Sequence, residues 1–139
     1  MVFILDEGSE FKAPLNKVWA LAQTEGVHKH ASQIDPQRSM DGEHIVLSFG
    51  TKMPDGNVVR QKARITPVPP LGTTIEYVEG PMTGSKLMQY YIPKGNKTGI
   101  TVVADMKAPN LSDNQLKAMV LKQLEIAFKE DEENLKKLQ

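Results

Sequence analysis

The stretch SDNQLKAMVLKQLEIAFKEDEENLKKL, residues 112–138, decides the fold of this chain. Its first four residues, Ser112 to Gln115, match a capping box, in which each of two side chains accepts a hydrogen bond from the other residue's backbone N–H. At 100° per residue, one face of the helix is apolar over about 120°. The residues on that face are Leu116, Val120, Leu124, Ala127, Phe128, Leu135 and Leu138. A helix of about 27 residues spans roughly 40 Å, which is long enough to cross a small sheet.

The chain begins with an apolar segment, Val2 to Phe11, that we predict to be a strand. A short helix led by Pro14 follows, because proline is well suited to the first turn of a helix. Its apolar face is predicted from the spacing i, i+3, i+4 and i+7. That face comprises Leu15, Val18, Trp19 and Ala22. Val27 and Ala31 indicate a second short helix.

The region between these helices and Pro109 alternates in the manner of strands and is broken by Gly and Pro turns. The clearest alternation runs from Val59 to Ile65, where Arg60, Lys62 and Arg64 fall on the opposite face. Hairpin-length connections predict an antiparallel meander. The expected architecture is α+β, with a strongly curved sheet of six or seven strands gripping the helix Ser112–Leu138 and two short helices after the first strand.

Composition excludes several classes of protein. The 139 residues include 17 basic and 17 acidic side chains, and this neutrality argues against a nucleic-acid binder. The absence of cysteine excludes disulfides, thiolate zinc sites and a cysteine nucleophile. The apolar opening meets Asp6 and Glu7 at once, so it is interpreted as a strand and not as a signal peptide. No run approaches the roughly 20 apolar residues of a membrane span. We expect one cytoplasmic domain over residues 1–139.

Three short motifs in this order point to a known superfamily: Ala13-Pro14, Val18-Trp19, and the turn Gly95 to Thr98 leading into Ile100–Met106. With them, the chain resembles the START-like helix-grip superfamily (SRPBCC). That superfamily includes polyketide cyclases, lipid-transfer domains, the birch-pollen allergen group and Hsp90-activator-like domains. The resemblance covers essentially the whole chain and implies a helix-grip fold. It does not choose among carriers, cyclases and co-chaperones.

Signatures of catalysis and of metal binding are scarce. The sequence has no Gly-rich phosphate loop, no Gly-x-Ser-x-Gly elbow and no His-Glu-x-x-His helix. His28, His30 and His44 are its only histidines, and two histidines at i, i+2 diverge on a helix. We interpret them as surface residues and predict no metal, no cofactor and no catalytic residue. Asp131 falls amid the apolar stripe of the long helix, where it is either a general base or, as we prefer, a solvated carboxylate beyond the sheet.

Gln61 shares a strand face with Val59, Ala63 and Ile65, so its amide should point toward the long helix. It either orients a ligand, or it is a core amide with satisfied hydrogen bonds or a residue at the mouth of the pocket; the interpretation without a ligand is favoured. Tyr77, Tyr90 and Tyr91 could also bond a ligand, although tyrosine is common in sheets.

The leading hypothesis is a non-catalytic binder or carrier of a small hydrophobic molecule that is lipid-, isoprenoid- or polyketide-like. Alternatives are a polyketide cyclase or dehydratase and an Hsp90-activator-like interaction module. Expected partners are the small molecule alone, with no nucleic acid and no stable membrane insertion, in a monomer or weak homodimer. The predicted lining comprises Trp19, Leu47, Phe49, Val59, Gln61, Ile75, Tyr77, Val102, Met119, Val120 and Leu124.

Overall fold

The computed structural model describes residues 2–23, 30 and 32–137. Its elements follow one another as β1 (Val2–Phe11), α1 (Leu15–Gln23), β2 (Ile34–Asp41), β3 (His44–Lys52), β4 (Val58–Val68), β5 (Gly72–Glu79), β6 (Lys86–Lys94), β7 (Lys97–Met106) and α2 (Asp113–Lys137). No helix in these residues is long and apolar enough to cross a membrane.

The seven strands form one antiparallel sheet in the order β1-β7-β6-β5-β4-β3-β2. Every connection between strands from β2 onward is a hairpin, whereas β1 pairs with β7 at the far end of the sequence. The alternation of β7 sets the two faces, because Val102, Ala104 and Met106 are buried while Val103 is exposed. We call the side that faces α2 the inner face and the opposite side the outer face.

The capping box at the start of α2 is confirmed. The backbone N–H of Gln115 donates to Ser112 Oγ at 3.1 Å, and the N–H of Ser112 donates to Gln115 Oε1 at 3.0 Å. These two bonds satisfy donors that a helix N-terminus leaves open. The helix is described as far as Lys137, and Leu138 lies outside the described residues.

Two separate core clusters hold α2 on the sheet. Near the start of the helix, Leu116 and Val120 pack with Ile4, Met82 and Met106. Nearer its end, Leu135 belongs to a second cluster with α1, whose buried members include Phe11, Val18 and Leu21. The rings of Phe11 and Phe128 stack there at 4.6 Å. The middle of the helix, between the two clusters, lies over the inner face without a cluster of its own.

The region between β1 and β3 differs from the prediction. The described residues there contain one short helix, and the second helix predicted around Val27 and Ala31 falls outside them. The seventh strand, β2, has no alternating pattern that would have predicted it. Asp35 has φ of 46°, Pro36 follows, and the pairing register shifts between Ile34 and Gln37. Such an irregular edge strand lacks the period of two that identifies a strand in sequence.

Candidate ligand cavity

A cavity of about 550 Å³ lies between the inner face of the sheet and the middle of α2. Its wall is more apolar than polar, with Ile45, Leu47 and Ile75 from the strands and Leu124 from the helix as apolar examples. Its volume falls within the range of about 300–1,000 Å³ that is typical of small-molecule sites. The cavity exists because the two core clusters fill only the ends of the space beneath α2.

Polar side chains cross the floor of this cavity in one row. Asp6 on β1 pairs with Val102 on β7, which pairs with Gln89 on β6, which pairs with Thr73 on β5. Ser9 lies next to this row and also lines the cavity. We call Asp6, Ser9, Gln89 and Thr73 the polar row. It supplies hydrogen-bonding groups on the sheet side of the cavity, and Gln123 and Asp131 supply others from α2.

Asp6 and Ser9 share the inner face because of a bulge in β1. The register with β7 shifts between these two residues, and Gly8 within the shift has φ of 95°, a conformation that glycine adopts without strain. In a regular strand, residues three apart point to opposite faces. Asp6 follows Ile4 on the inner face by regular alternation, and the bulge turns Ser9 to the same face.

Tyr91 adds a phenol to this polar region. The amide Nε2 of Gln89 donates to the Tyr91 hydroxyl oxygen at 2.9 Å, and the ring of Trp19 meets the Tyr91 ring edge-on at 6.3 Å. The pKa of Tyr91 is raised to about 12, chiefly by burial. The hydrogen bond from Gln89 lowers this pKa, and the negative charge of Asp131 raises it. Tyr91 is therefore a neutral phenol in the cavity wall over the whole physiological range.

Asp131 is buried, with 7% of its surface exposed, and it lines the cavity. Our preference for a solvated carboxylate at this position is therefore wrong. The helix has not run past the sheet here, because Leu135, one turn later, is still part of the core cluster with α1.

Tyr77 lines the cavity from β5. Burial raises the pKa of Tyr77, and its ring meets that of Phe49 edge-on at 6.2 Å. Among the described residues, none hydrogen-bonds to the Tyr77 hydroxyl. A phenol held in place by packing in a cavity wall can bond an oxygen or nitrogen of a bound molecule.

The side of the cavity beneath β2 reaches solvent, since Pro36 and Arg38 are the exposed members of its lining. His30 lies beside this opening, and its Nδ1 is 3.1 Å from Glu130 Oε1 on α2. That contact joins the segment before β2 to the helix over the cavity.

Seven of the eleven predicted lining residues face the cavity: Trp19, Leu47, Ile75, Tyr77, Val102, Val120 and Leu124. Four do not. Phe49 packs behind Tyr77, and Met119 packs against the first core cluster. Val59 belongs to a small surface cleft with Met53 and Pro81.

Gln61 is the fourth of these residues and is a satisfied core amide. Its Nε2 donates to Thr51 Oγ1 at 2.9 Å, and its Oε1 accepts from the backbone N–H of Met82 at 3.2 Å. Its amide points inward as predicted, but it joins β4 to the loop before β6 and lies outside the cavity lining.

The described residues contain no group of three or more side chains suited to hold a metal ion. His30 bonds Glu130, whereas His44 Nδ1 lies 2.7 Å from Thr66 Oγ1 on the neighbouring strand. His28 falls outside the described residues. The structure therefore does not bring His30 and His44 together.

Comparison with solved structures identifies the fold. The chain matches a START superfamily protein from Mycobacterium smegmatis at 15% identity and a TM-score of 0.76, with 99% of each chain covered. It matches a protein from Thermus thermophilus at 16% identity and a TM-score of 0.77, covering 96% of this chain and 97% of that one. It also matches the Zhui aromatase/cyclase from a Streptomyces species, strain R1128, at 13% identity and a TM-score of 0.69, covering 96% and 92%.

No protein-family model matches the sequence, and no curated protein matches it. The chain has the START-like helix-grip fold, as the resemblance implied. At identities this low the likeness establishes the architecture alone.

Proposed function

We propose that this protein binds a small, largely apolar molecule, lipid-, isoprenoid- or polyketide-like, in the cavity beneath α2. The observation that carries the proposal is a cavity of about 550 Å³ whose wall is more apolar than polar, with a polar row across its floor. Sites for small molecules combine apolar walls with a few placed polar groups. Solved structures with the same fold include a START superfamily protein and an aromatase/cyclase, which supports a hydrophobic ligand.

The residues assigned to the ligand are the seven predicted ones that face the cavity, joined by Gln89 and Tyr91. Trp19, Leu47, Ile75 and Leu124 provide apolar contact. Tyr77 and Tyr91 remain neutral because burial raises their pKa values, so each provides a hydroxyl without charge. The proposed role is that of a non-catalytic, cytoplasmic binder formed by a single domain.

The test uses two identical changes on opposite sides of α2. Ala127 lines the cavity, whereas Ala118, nine residues earlier and thus half a turn around the helix, is exposed. We expect Ala127→Phe to abolish uptake of an apolar fluorescent probe and Ala118→Phe to leave it unchanged. Native mass spectrometry of the protein from its own host should show an added mass that the Ala127→Phe protein lacks.

Three results would overturn the proposal. Equal probe uptake by both variants would mean that the probe binds elsewhere than in the cavity. Turnover of a polyketide substrate would indicate the cyclase-type alternative, and a stoichiometric protein partner with an empty cavity would indicate the Hsp90-activator-like one.

A further inference from the structure

Six apolar side chains form a continuous surface on the outer face of β1, β7 and β6. They are Phe3, Leu5, Val103, Met88, Tyr90 and Ile92, and each exposes between 39% and 68% of its area. Pairing makes them neighbours, because Leu5 lies opposite Val103, which lies opposite Met88. We call these six residues the outer apolar patch.

The area of the outer apolar patch is large for a protein of this size. A free side chain of this kind presents on the order of 200 Å², so the patch exposes about 600 Å² in total. The largest apolar patch on a typical monomer is about 300–600 Å². Two copies meeting through this patch would bury roughly 1,200 Å², which reaches the lower end of stable protein–protein interfaces.

The charges around the patch are balanced. At one end, Asp105 lies between Phe3 and Lys86 in the pairing register. At the other end, Lys94 Nζ lies 3.5 Å from Glu10 Oε1. Glu76 lies opposite Lys86 and Lys97 lies opposite Lys94 in the register, so charges of both signs border a centre without charge. An anionic surface such as nucleic acid or an acidic membrane requires a basic excess, whereas homodimer interfaces combine an apolar centre with a polar rim.

We infer that the outer apolar patch is the contact surface of a homodimer, with the same patch supplied by both copies across a two-fold axis. A two-fold axis requires a surface that is complementary to itself, and a rim of both signs meets this condition. The cavity lies on the opposite face of these strands and opens beneath β2, so dimer formation leaves it accessible.

Sedimentation velocity over a range from low to high micromolar concentration tests this inference. The wild-type protein should move from monomer toward dimer as its concentration rises. Leu5→Glu and Met88→Lys introduce charges of opposite sign into the patch, and each should raise the dissociation constant by about tenfold or more. Ser39→Glu is the matched control, since Ser39 is exposed on the outer face at β2, outside the patch.

Three outcomes would overturn the inference. One is a wild-type protein that stays monomeric at every concentration, and another is a dimer that neither patch variant weakens. The third is a monomer that binds phosphatidylcholine–phosphatidylglycerol vesicles through the patch. Far-UV circular dichroism checks that each variant is folded, and either variant alone suffices. Uptake of the apolar probe should be equal in all variants, which separates this inference from the proposed function.

Discussion

β4 and β6 lie in the same sheet but differ in their outer face, which is charged on β4 and apolar on β6. On β4, Arg60, Lys62 and Arg64 point outward while Ala63 is buried against the core. On β6, Gln89 faces the cavity while Met88, Tyr90 and Ile92 point outward. β1 resembles β6, with Asp6 inside and Phe3 and Leu5 outside.

The difference between these strands distinguishes a surface that stabilises the sheet from surfaces that suit the binding of a partner. The pattern on β4 is the one that stabilises a sheet with one wet face. On β1 and β6, polar groups toward a cavity and apolar groups toward solvent each carry a cost for the isolated protein. The cost is offset if the cavity holds a ligand and if a second copy covers the outer face.

The largest difference in stability should be between substitutions to glutamate on the two faces of β7. Ala104→Glu buries a carboxylate at a position that is 2% exposed, and we expect a loss above about 4 kcal/mol or failure to fold. Val103→Glu points into solvent and should change the stability of the monomer by about 0.5 kcal/mol or less. Urea denaturation at low protein concentration measures both. Equal losses would contradict the assignment of inner and outer faces.

Substitutions at two leucines of α2 allow a comparison between the part of the helix that is packed in a core cluster and the part that lies above the cavity. Leu116 is 1% exposed in the first core cluster, and Leu116→Ala should cost about 2–5 kcal/mol. Leu124 lines the cavity, where fewer atoms surround it, and Leu124→Ala should cost about 2 kcal/mol or less. Thermal or urea unfolding of both variants measures the difference. A loss at Leu124 as large as that at Leu116 would mean that the cavity is a filled core.

Ionisation of Tyr91, on the inner face of β6, should lower the free energy of unfolding at high pH. Because its pKa is about 12 when folded and 10.0 in a model peptide, the folded state holds the proton more tightly. Stability is unaffected below pH 10 and decreases by about 2–3 kcal/mol as pH rises toward 12. Urea denaturation at several pH values should show a shallower decrease in Tyr91→Phe. The decrease that persists in that variant includes the contribution of Tyr77, whose pKa is also raised.

The smallest effect should follow from the hydrogen bond inside the polar region. Gln89→Leu removes the donor to Tyr91, which should cost about 0.5–1.5 kcal/mol and raise the pKa of Tyr91 further. Absorbance titration of tyrosine measures this shift, with Gln123→Leu as a control that also lines the cavity. An unchanged or lowered titration midpoint in Gln89→Leu would show that the bond does not favour ionisation.

Regular elements of the fold could be predicted from the sequence because their periods are unbroken. The alternation of β4 and β7 and the capping box at Ser112 each agree with the structure. β2 could not be predicted, because a positive φ at Asp35, the following proline and a register shift remove its alternation.

The apolar residues of the candidate site could be predicted from the same hydrophobic periodicity, whereas its polar residues could not. Val102, Val120 and Leu124 lie on faces whose direction is evident from neighbouring residues. Ser9 was missed because a bulge, which the hydrophobic periodicity of the sequence does not show, turns it to the same face as Asp6. Gln89 was missed, and Tyr91 was considered but not included in the predicted lining, because both faces of β6 carry apolar residues and neither direction is favoured. These polar residues lie on the inner face of the sheet, which is normally apolar in a stable protein.

The pairing of β1 with β7 has a consequence for how the protein is made. Val2 and Met106 are partners in one ladder although they are far apart in the chain, and α2 is formed from residues later still. During synthesis on the ribosome, β1 therefore remains unpaired until strands β2 to β6 and then β7 have been made. Contacts between distant residues also slow folding. We expect the cavity to close only after α2 has been released, so that the proposed ligand would bind after translation.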